Sequence, residues 1–344
     1  MAQVKNPLVI PVFIPHSGCP HQCAFCNQSI ITSQESKMPD KITIHNIVNQ
    51  YLQYKGKREQ VEIAFFGGNF LGLAHDSIIQ LLDMIQPYIK GKKIDGIRFS
   101  TRPDTITRAI LELVKPYNIS AVELGVQSMN DEVLLGSKRG HTSMDTIKAM
   151  GLLKEYSFKI GVQVMVGLPG DTKVSLFEST KKVALLAPDF ARIYPLMVLK
   201  GSLLEHWYCQ GRYTPLSLEE SISLVKIMVG IFKAADIKVI RVGLQASDIM
   251  EDETKLLAGP WHPAFGHLVY SEILYDFVCK EIDLYKGGVG SREIILSVNP
   301  KSESRLRGNK NINLKRLSQR YSEFDFLIRR DEMIPLNQIE INKD

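Results

Sequence analysis

"LVIPVFIPHSGCPHQCAFC" spans Leu8–Cys26, and the reading of this stretch decides how the rest of the chain is understood. Its first part, Leu8 to Ile14, is an apolar, β-branched run of strand length. Its second part places Cys19, Cys23 and Cys26 within eight residues, spaced C-x₃-C-x₂-C. Pro11 lies inside the strand. Proline has no N–H to give to a ladder, so this strand belongs at a sheet edge. The three thiols follow directly behind it. In parallel α/β folds, ligands bind beyond the carboxyl ends of the strands, where such a loop would lie.

Similar runs recur at 61–66 (VEIAFF), 97–101 (IRFST), 120–127 (SAVELGVQ), 159–167 (KIGVQVMVG) and 190–196 (FARIYPL). Between them are helical periods. Ile78, Leu81, Leu82, Ile85 and Ile89 recur at i, i+3, i+4 and i+7, as do Ile222, Val225, Val229 and Phe232. Alternating strand and helix predict an α/β fold with a parallel sheet. Six such units with an edge strand predict an incomplete (βα)6 barrel over residues 1–245. Residues 246–344 predict a small C-terminal α+β domain. It has strands at 291–298 and 324–329 and a polar, basic helix from about Ser302 to Arg320.

Of the 344 residues, 44% are hydrophobic and 23% charged, which supports a large core and argues against disorder. No run approaches 18 apolar residues, so no membrane span is expected. The apolar N-terminal stretch is short and broken by proline, unlike a signal peptide. A cytoplasmic chain is therefore expected, in a compartment that keeps thiols reduced. Cys209 and Cys279 stand alone and read as buried apolar residues. For the clustered thiols, three answers stay open on residue chemistry. Zinc would need a fourth ligand, His16 or His21. A cubane iron–sulfur cluster normally takes four cysteines, so three would leave one iron open. A purely structural role is the third.

With Phe25 before its last cysteine, the motif resembles the signature of the radical S-adenosylmethionine superfamily. The resemblance implies a radical enzyme of radical-SAM-barrel fold. Cys19, Cys23 and Cys26 would hold a [4Fe–4S] cluster, and S-adenosylmethionine would occupy its open iron. It also implies reductive cleavage to a 5′-deoxyadenosyl radical, oxygen sensitivity, and a one-electron donor such as flavodoxin or ferredoxin. Gly67, Gly68 and Asn69, in "FFGGNF", are similar to the family's Gly-Gly element for the methionine amino group. The commonest form has an acid where Asn69 stands. "STRPD" (100–104), "ELGVQS" (123–128) and "GLPGDT" (167–172) resemble the branch holding the Elongator catalytic subunit and oxygen-independent coproporphyrinogen oxidase. That implies Ser100, Gln127, Arg139 and Gln163 around the cofactor, with the glutamines on ribose hydroxyls and Arg139 on the carboxylate. It further implies that Phe13 faces the cofactor and that Tyr194 and Leu196 offer backbone groups to adenine. The plain alternatives are a core role for Phe13 and an ordinary turn at Gly67–Gly68.

Glu123, pointing into the barrel, needs a partner, and it stands with His262 as a catalytic candidate. Trp261, His262 and His267, in "GPWHPAFGH" (259–267), read as lining the pocket mouth or as a packing corner. The net charge of +5 is concentrated: residues 291–330 carry ten Lys and Arg against four acids. Arg305, Arg307, Lys310, Lys315, Arg316 and Arg320 are candidate contacts to RNA phosphates, or a solvated helix face. No acetyltransferase segment like that of the Elongator subunit is expected in this chain. Three functions remain: a radical enzyme on tRNA or another RNA, one on a tetrapyrrole or other small metabolite, and a non-catalytic zinc or iron–sulfur protein.

Overall fold

The computed structural model describes residues 7–14, 18–27, 38–56, 58–244, 255–285 and 292–343. The six expected strands are β1 (Leu8–Ile14), β2 (Val61–Gly67), β3 (Gly96–Thr101), β4 (Ile119–Gln127), β5 (Lys159–Val166) and β6 (Phe190–Pro195). They lie side by side in chain order, all parallel. A two-residue strand, β7 (Val198–Leu199), leaves this sheet, and a seventh parallel strand, β8 (Lys238–Val242), closes its far edge against β6. The sheet curls into a half-barrel. β1 with Pro11 occupies one edge, as the missing N–H requires. β8 escaped the sequence reading because it is half-exposed and carries Lys238 and Arg241 among its five residues, which dilutes the apolar signal.

The helices between these strands are α1 (Lys41–Leu52), α2 (His75–Lys90), α3 (Arg108–Val114), α4 (Asp131–Gly136), α5 (Ser143–Leu153), α6 (Lys173–Leu185), α7 (Leu203–Cys209) and α8 (Leu218–Ala234). Capping boxes at Thr142–Asp145 and Ser217–Glu220 start α5 and α8 where the sequence offers a hydroxyl three residues before an acid. Successive strand residues point to opposite faces. On one face, Ile10, Val12, Ile63, Phe65, Ile97, Phe99, Val122, Leu124, Val162 and Ile193 join the helices in a single core. The opposite, lumenal face carries Phe13, Glu62, Phe66, Arg98, Ser100, Glu123, Gln163, Arg192 and Tyr194, aligned by register. A sheet apolar outside and polar inside is built to hold something in its concavity.

Phe65, Phe70 and Phe99 stack with ring centroids 5.0 and 4.6 Å apart, clamping the turn after β2 onto β3. Phe70→Ala is expected to cost about 3–5 kcal/mol in urea unfolding.

After β8, β9 (Leu256–Ala258) pairs antiparallel with β7, and α9 (Phe265–Tyr285) follows. Residues 245 and 246, where the two predicted regions meet, lie outside the described residues. Phe265 and Val269 of α9 pack in the barrel core, while Leu274, Val278 and Ile282 pack in a second core. That core also takes Ile294, Leu296 and Val298 of β10 (Glu293–Val298). β10 is flanked by β11 (Asp325–Arg330), parallel, and β12 (Ile339–Lys343), antiparallel. The single basic helix expected over Ser302–Arg320 is two helices, α10 (Glu303–Arg307) and α11 (Ile312–Arg320). Gly308, Lys310 and Asn311 take φ of 71°, 50° and 60° between them. Glycine and asparagine tolerate that left-handed region, and the string "GNKN" was the overlooked stop signal. Cys279 is buried as expected. Cys209 is exposed, contrary to expectation, because it ends the short α7, of which only Leu204 is buried. Among the described residues no helix is long and apolar enough to cross a membrane.

Candidate active site

The thiol loop is fastened to several βα segments. Gly18, with φ of 100°, offers its carbonyl to the Asn69 amide nitrogen at 2.7 Å. A Cβ on Gly72 would lie 2.1 Å from that carbonyl, so only glycine fits there. Ala24 N donates to Ser137 O at 2.9 Å, and Ala24 O accepts from Leu204 N at 2.8 Å. Asn27 donates to Lys200 O at 2.7 Å. Phe25 packs against a cluster containing Val133, Leu168, Leu196 and Leu204, so it anchors the loop. His21 lies against Gly140, where a Cβ would come within 2.2 Å of its ring. His16 lies outside the described residues.

Cys19, Cys23 and Cys26 are thereby held past the carboxyl end of β1, half-buried or buried, with no disulfide. Burial pushes the Cys26 thiol up to about 12, and the charges of Cys23 and Cys19 add to the effect. Burial also raises Cys19, against the pull of Arg139 and Arg102. Crowded, buried thiols such as Cys19 and Cys26 are uncomfortable as thiolates without a cationic centre. Among the described residues, no three His, Cys, Asp or Glu side chains converge closely enough to hold a single ion.

Around the thiols stand polar atoms that lack partners among the described residues. Arg139 donates from Nη2 to Gly125 O at 2.7 Å and from Nη1 to Cys23 Sγ at 3.3 Å, and its buried Nε has no acceptor. Arg102 forms a bidentate pair with Asp104 at 2.9 and 2.8 Å, leaving Nη1 unmatched. Gln127 sits at φ 66° where β4 breaks register, with Oε1 unmatched. Guanidinium donors and an amide acceptor facing a thiol rim suit a ligand with a carboxylate and hydroxyls.

Other predicted residues are placed as follows. Gly67 and Gly68 form the turn at the end of β2, with Gly67 at φ 100°. Asn69 is 1% exposed and its side chain makes four hydrogen bonds. Besides Gly18 O, it meets Thr101 Oγ1 at 2.7 Å, Arg102 N at 3.0 Å and Thr105 Oγ1 at 3.1 Å. It is a pin between the thiol loop and β3. Ser100 and Gln163 are joined, Gln163 Nε2 to Ser100 Oγ at 3.1 Å, and face the lumen. Phe13 is 37% exposed beside Phe66 at the edge. Tyr194 faces the lumen next to Arg192, and burial raises its pKa. Leu196 is buried, and its N–H donates to Val166 O at 3.0 Å. His262 lies in the turn before α9, its Nδ1 accepting from Ala264 N at 3.0 Å.

Glu123 has its partners, and they are arginines. Arg98 Nη1 reaches Oε1 at 3.1 Å, Arg192 Nη2 reaches Oε1 at 2.9 Å, and Gln163 reaches Oε2 at 3.1 Å. Arg98 also pairs with Glu62. Arg98, Arg192 and Glu62 were missed from sequence. The available signal was a single charged residue at an inward position of each of the otherwise apolar strands β2, β3, β4 and β6.

The basic tail residues are mostly paired. Arg307 and Arg330 share Glu303, Arg316 pairs with Glu272 and stacks 3.7 Å over Tyr275, and Arg320 pairs with Asp283. Arg305 donates to Asn337. Lys310 and Lys315 make no ion pair among the described residues. The partners of Arg316 and Arg320 lie 7 and 18 residues into α9, roughly 10–27 Å along its axis from the barrel rim.

His141, 3% exposed, lies near Arg139 and Arg102. Burial first, then the two guanidinium charges, push its pKa down to about 3. The unfolded chain therefore takes up a proton below about pH 6.5 that the folded chain refuses, so stability falls as pH drops toward 3. The expected loss from this group is roughly 3 kcal/mol between about pH 6.5 and pH 4. A His141→Leu variant should show a correspondingly shallower decline in urea midpoints over that range.

A half-barrel whose open end carries three unbridged thiols and unmatched guanidinium donors defines a class. Residues 13–182 match the model of the radical SAM superfamily and 188–274 that of the radical SAM C-terminal domain, together about three quarters of the chain. The protein belongs to the radical SAM superfamily and is an enzyme of that class. It is similar to the tRNA uridine(34) acetyltransferase of Dehalococcoides mccartyi, at 28% identity over 57% of this chain and 50% of that protein. To the protein of the same name from Methanocaldococcus jannaschii it is 26% identical, over 83% of this chain and 60% of that one. The chain thus spans about half to two-thirds of the length of the curated relatives it matches. The solved structure of Methanocaldococcus infernus Elp3 shares the fold, with a TM-score of 0.62 at 21% identity over 80% of this chain and 64% of that one. Members of this family use a [4Fe–4S] cluster and S-adenosylmethionine.

Proposed function

We propose that Cys19, Cys23 and Cys26 hold a [4Fe–4S] cluster by three irons and that S-adenosylmethionine completes the site. When bound, this pair supplies a 5′-deoxyadenosyl radical that removes a hydrogen atom from the substrate, after one electron arrives from a donor such as flavodoxin or ferredoxin. The carrying observation is the thiol loop, tied down at Gly18, Ala24 and Asn27 beside the unmatched Nε of Arg139 and Oε1 of Gln127.

In this reading the backbone at Gly67–Asn69 takes the methionyl amino group and Arg139 the carboxylate. Gln127, Ser100 and Gln163 take the ribose, Tyr194 and Leu196 border the adenine, and Phe13 shields the open edge from water. Arg98, Arg192 and Glu123 hold Gln163 in place, so we assign Glu123 to positioning. The substrate class we favour is RNA, tRNA foremost. Its support is the sequence likeness to tRNA-modifying proteins, since the α11 arginines are engaged within the chain. A reducing, cytoplasmic setting suits thiols that form no disulfide, and we place the boundary between catalytic half-barrel and tail domain near residue 245.

Anaerobic reconstitution with iron and sulfide tests the reading. A brown protein that releases 5′-deoxyadenosine only with a reductant is expected. A colourless protein that takes up one zinc and cleaves nothing would overturn it.

A further inference from the structure

We infer that His262, His267, Ser304 and Arg305 form a phosphate-binding site at the rim of the half-barrel, where a phosphorylated substrate is held. This rests on the proposed RNA substrate only for the source of the phosphate.

The position follows from close contacts. A Cβ on Gly259 would lie 3.1 Å from Leu196 O, just past β6, and one on Gly266 would lie 2.8 Å from Val242 O, the last residue of β8. The turn 259–264 and the first turn of α9 therefore cap the carboxyl ends of two strands. That is the end of the parallel sheet at which β1 delivers the thiol loop. The tail domain reaches the same place through α10. His267 Nε2 stands 3.4 Å from Ser304 Oγ, and the Arg305 Cζ lies 5.2 Å from the Tyr270 ring centroid.

The cluster gathers several donors at the rim without an acid. Among the described residues, no carboxylate pairs with His262, His267 or Arg305. The groups acting on His267 are burial, Arg305 and His262, all of which disfavour its protonated form. By contrast, Arg307, Arg316, Arg320 and Arg330 each have an acid. An acid-free set of one guanidinium, two imidazoles and a hydroxyl lacks only its anion. His262 accepts at Nδ1 from Ala264 N, so its Nε2 carries the hydrogen and can donate. Arg305 is steadied by Tyr270 and by Asn337. Donors from separate chain segments suit a tetrahedral phosphate better than a planar carboxylate, which a single Arg fork would satisfy.

The test uses the full chain, titrated anaerobically with tRNA and, separately, with inorganic phosphate followed by histidine ring NMR signals. The double variant His267→Gln/Arg305→Gln is compared with Lys315→Gln on α11. Expected are a loss of about tenfold in tRNA affinity and a salt slope smaller by about one for the double variant, with little change for Lys315→Gln. Phosphate should shift the His262 and His267 signals in the parent and leave His262 unmoved in the double variant. Cooperative unfolding checks the fold, and Arg305→Lys should recover part of the affinity. Unchanged tRNA binding in the double variant, with no phosphate effect in the parent, overturns the site and leaves the RNA reading standing. If the parent ignores tRNA yet binds phosphate through these residues, the site stands with a small phosphorylated metabolite, and the RNA reading falls.

Discussion

Cys23→Ala is expected to give a folded protein that takes up almost no iron on anaerobic reconstitution and releases no measurable 5′-deoxyadenosine. Cys23 is 5% exposed, and its neighbour Ala24 carries the two backbone hydrogen bonds that seat the loop, so the fold should survive. Losing a residue that merely supports a metal ligand costs about 10–100-fold in affinity or activity, and losing a ligand should exceed that. Cys19→Ala and Cys26→Ala should behave alike, whereas Cys209→Ala, at the exposed end of α7, should change neither iron content nor turnover. Arg139→Gln is the graded case. It removes the Nη1 donor to Cys23 Sγ, and should weaken cluster retention without abolishing it. A Cys23→Ala protein with parental iron content and cofactor cleavage would sink the three-thiol site.

Much of this was legible because it is local. Pro11 in an apolar run announced an edge strand, and the period-2 and period-3.6 patterns placed six strands and the main helices. What escaped depends on partners distant in sequence. Asn69 looked like part of a ligand-binding turn, but Gly18, Thr101 and Arg102, 32 to 51 residues away, engage its amide. Arg316 and Arg320 looked like a basic face until Glu272 and Asp283, 44 and 37 residues earlier, came to meet them. Charge counted along a sequence says nothing of which charges are already neutralised in space. Two local signals were simply underweighted: the "GNKN" break, and single charges at the inward positions of β2, β3, β4 and β6.

Those inward charges carry the second large effect. Glu123→Ala is expected to destabilise the protein by about 3–5 kcal/mol, read from urea unfolding, because it strands Arg98 and Arg192 without their shared carboxylate. Glu123 is 0% exposed and the two arginines 7% and 8%, so water can replace little of what is lost. Arg98 keeps Glu62, but among the described residues Arg192 keeps the ring of Phe66, 5.5 Å away, and Tyr194, with no second carboxylate. Replacing all four charges of the network, as Glu62→Leu/Arg98→Met/Glu123→Leu/Arg192→Met, should recover most of the stability, since an apolar set strands no buried charge and avoids the desolvation cost that the ionic network carries. It should not recover turnover, because Gln163 would lose the carboxylate that aims it toward Ser100. Stability and activity would then separate in one variant. If Glu123 served instead as a general base, Glu123→Gln would stop turnover while leaving S-adenosylmethionine cleavage and the urea midpoint untouched. A fall in the midpoint together with weakened cofactor affinity is the outcome that the paired arginines lead us to expect.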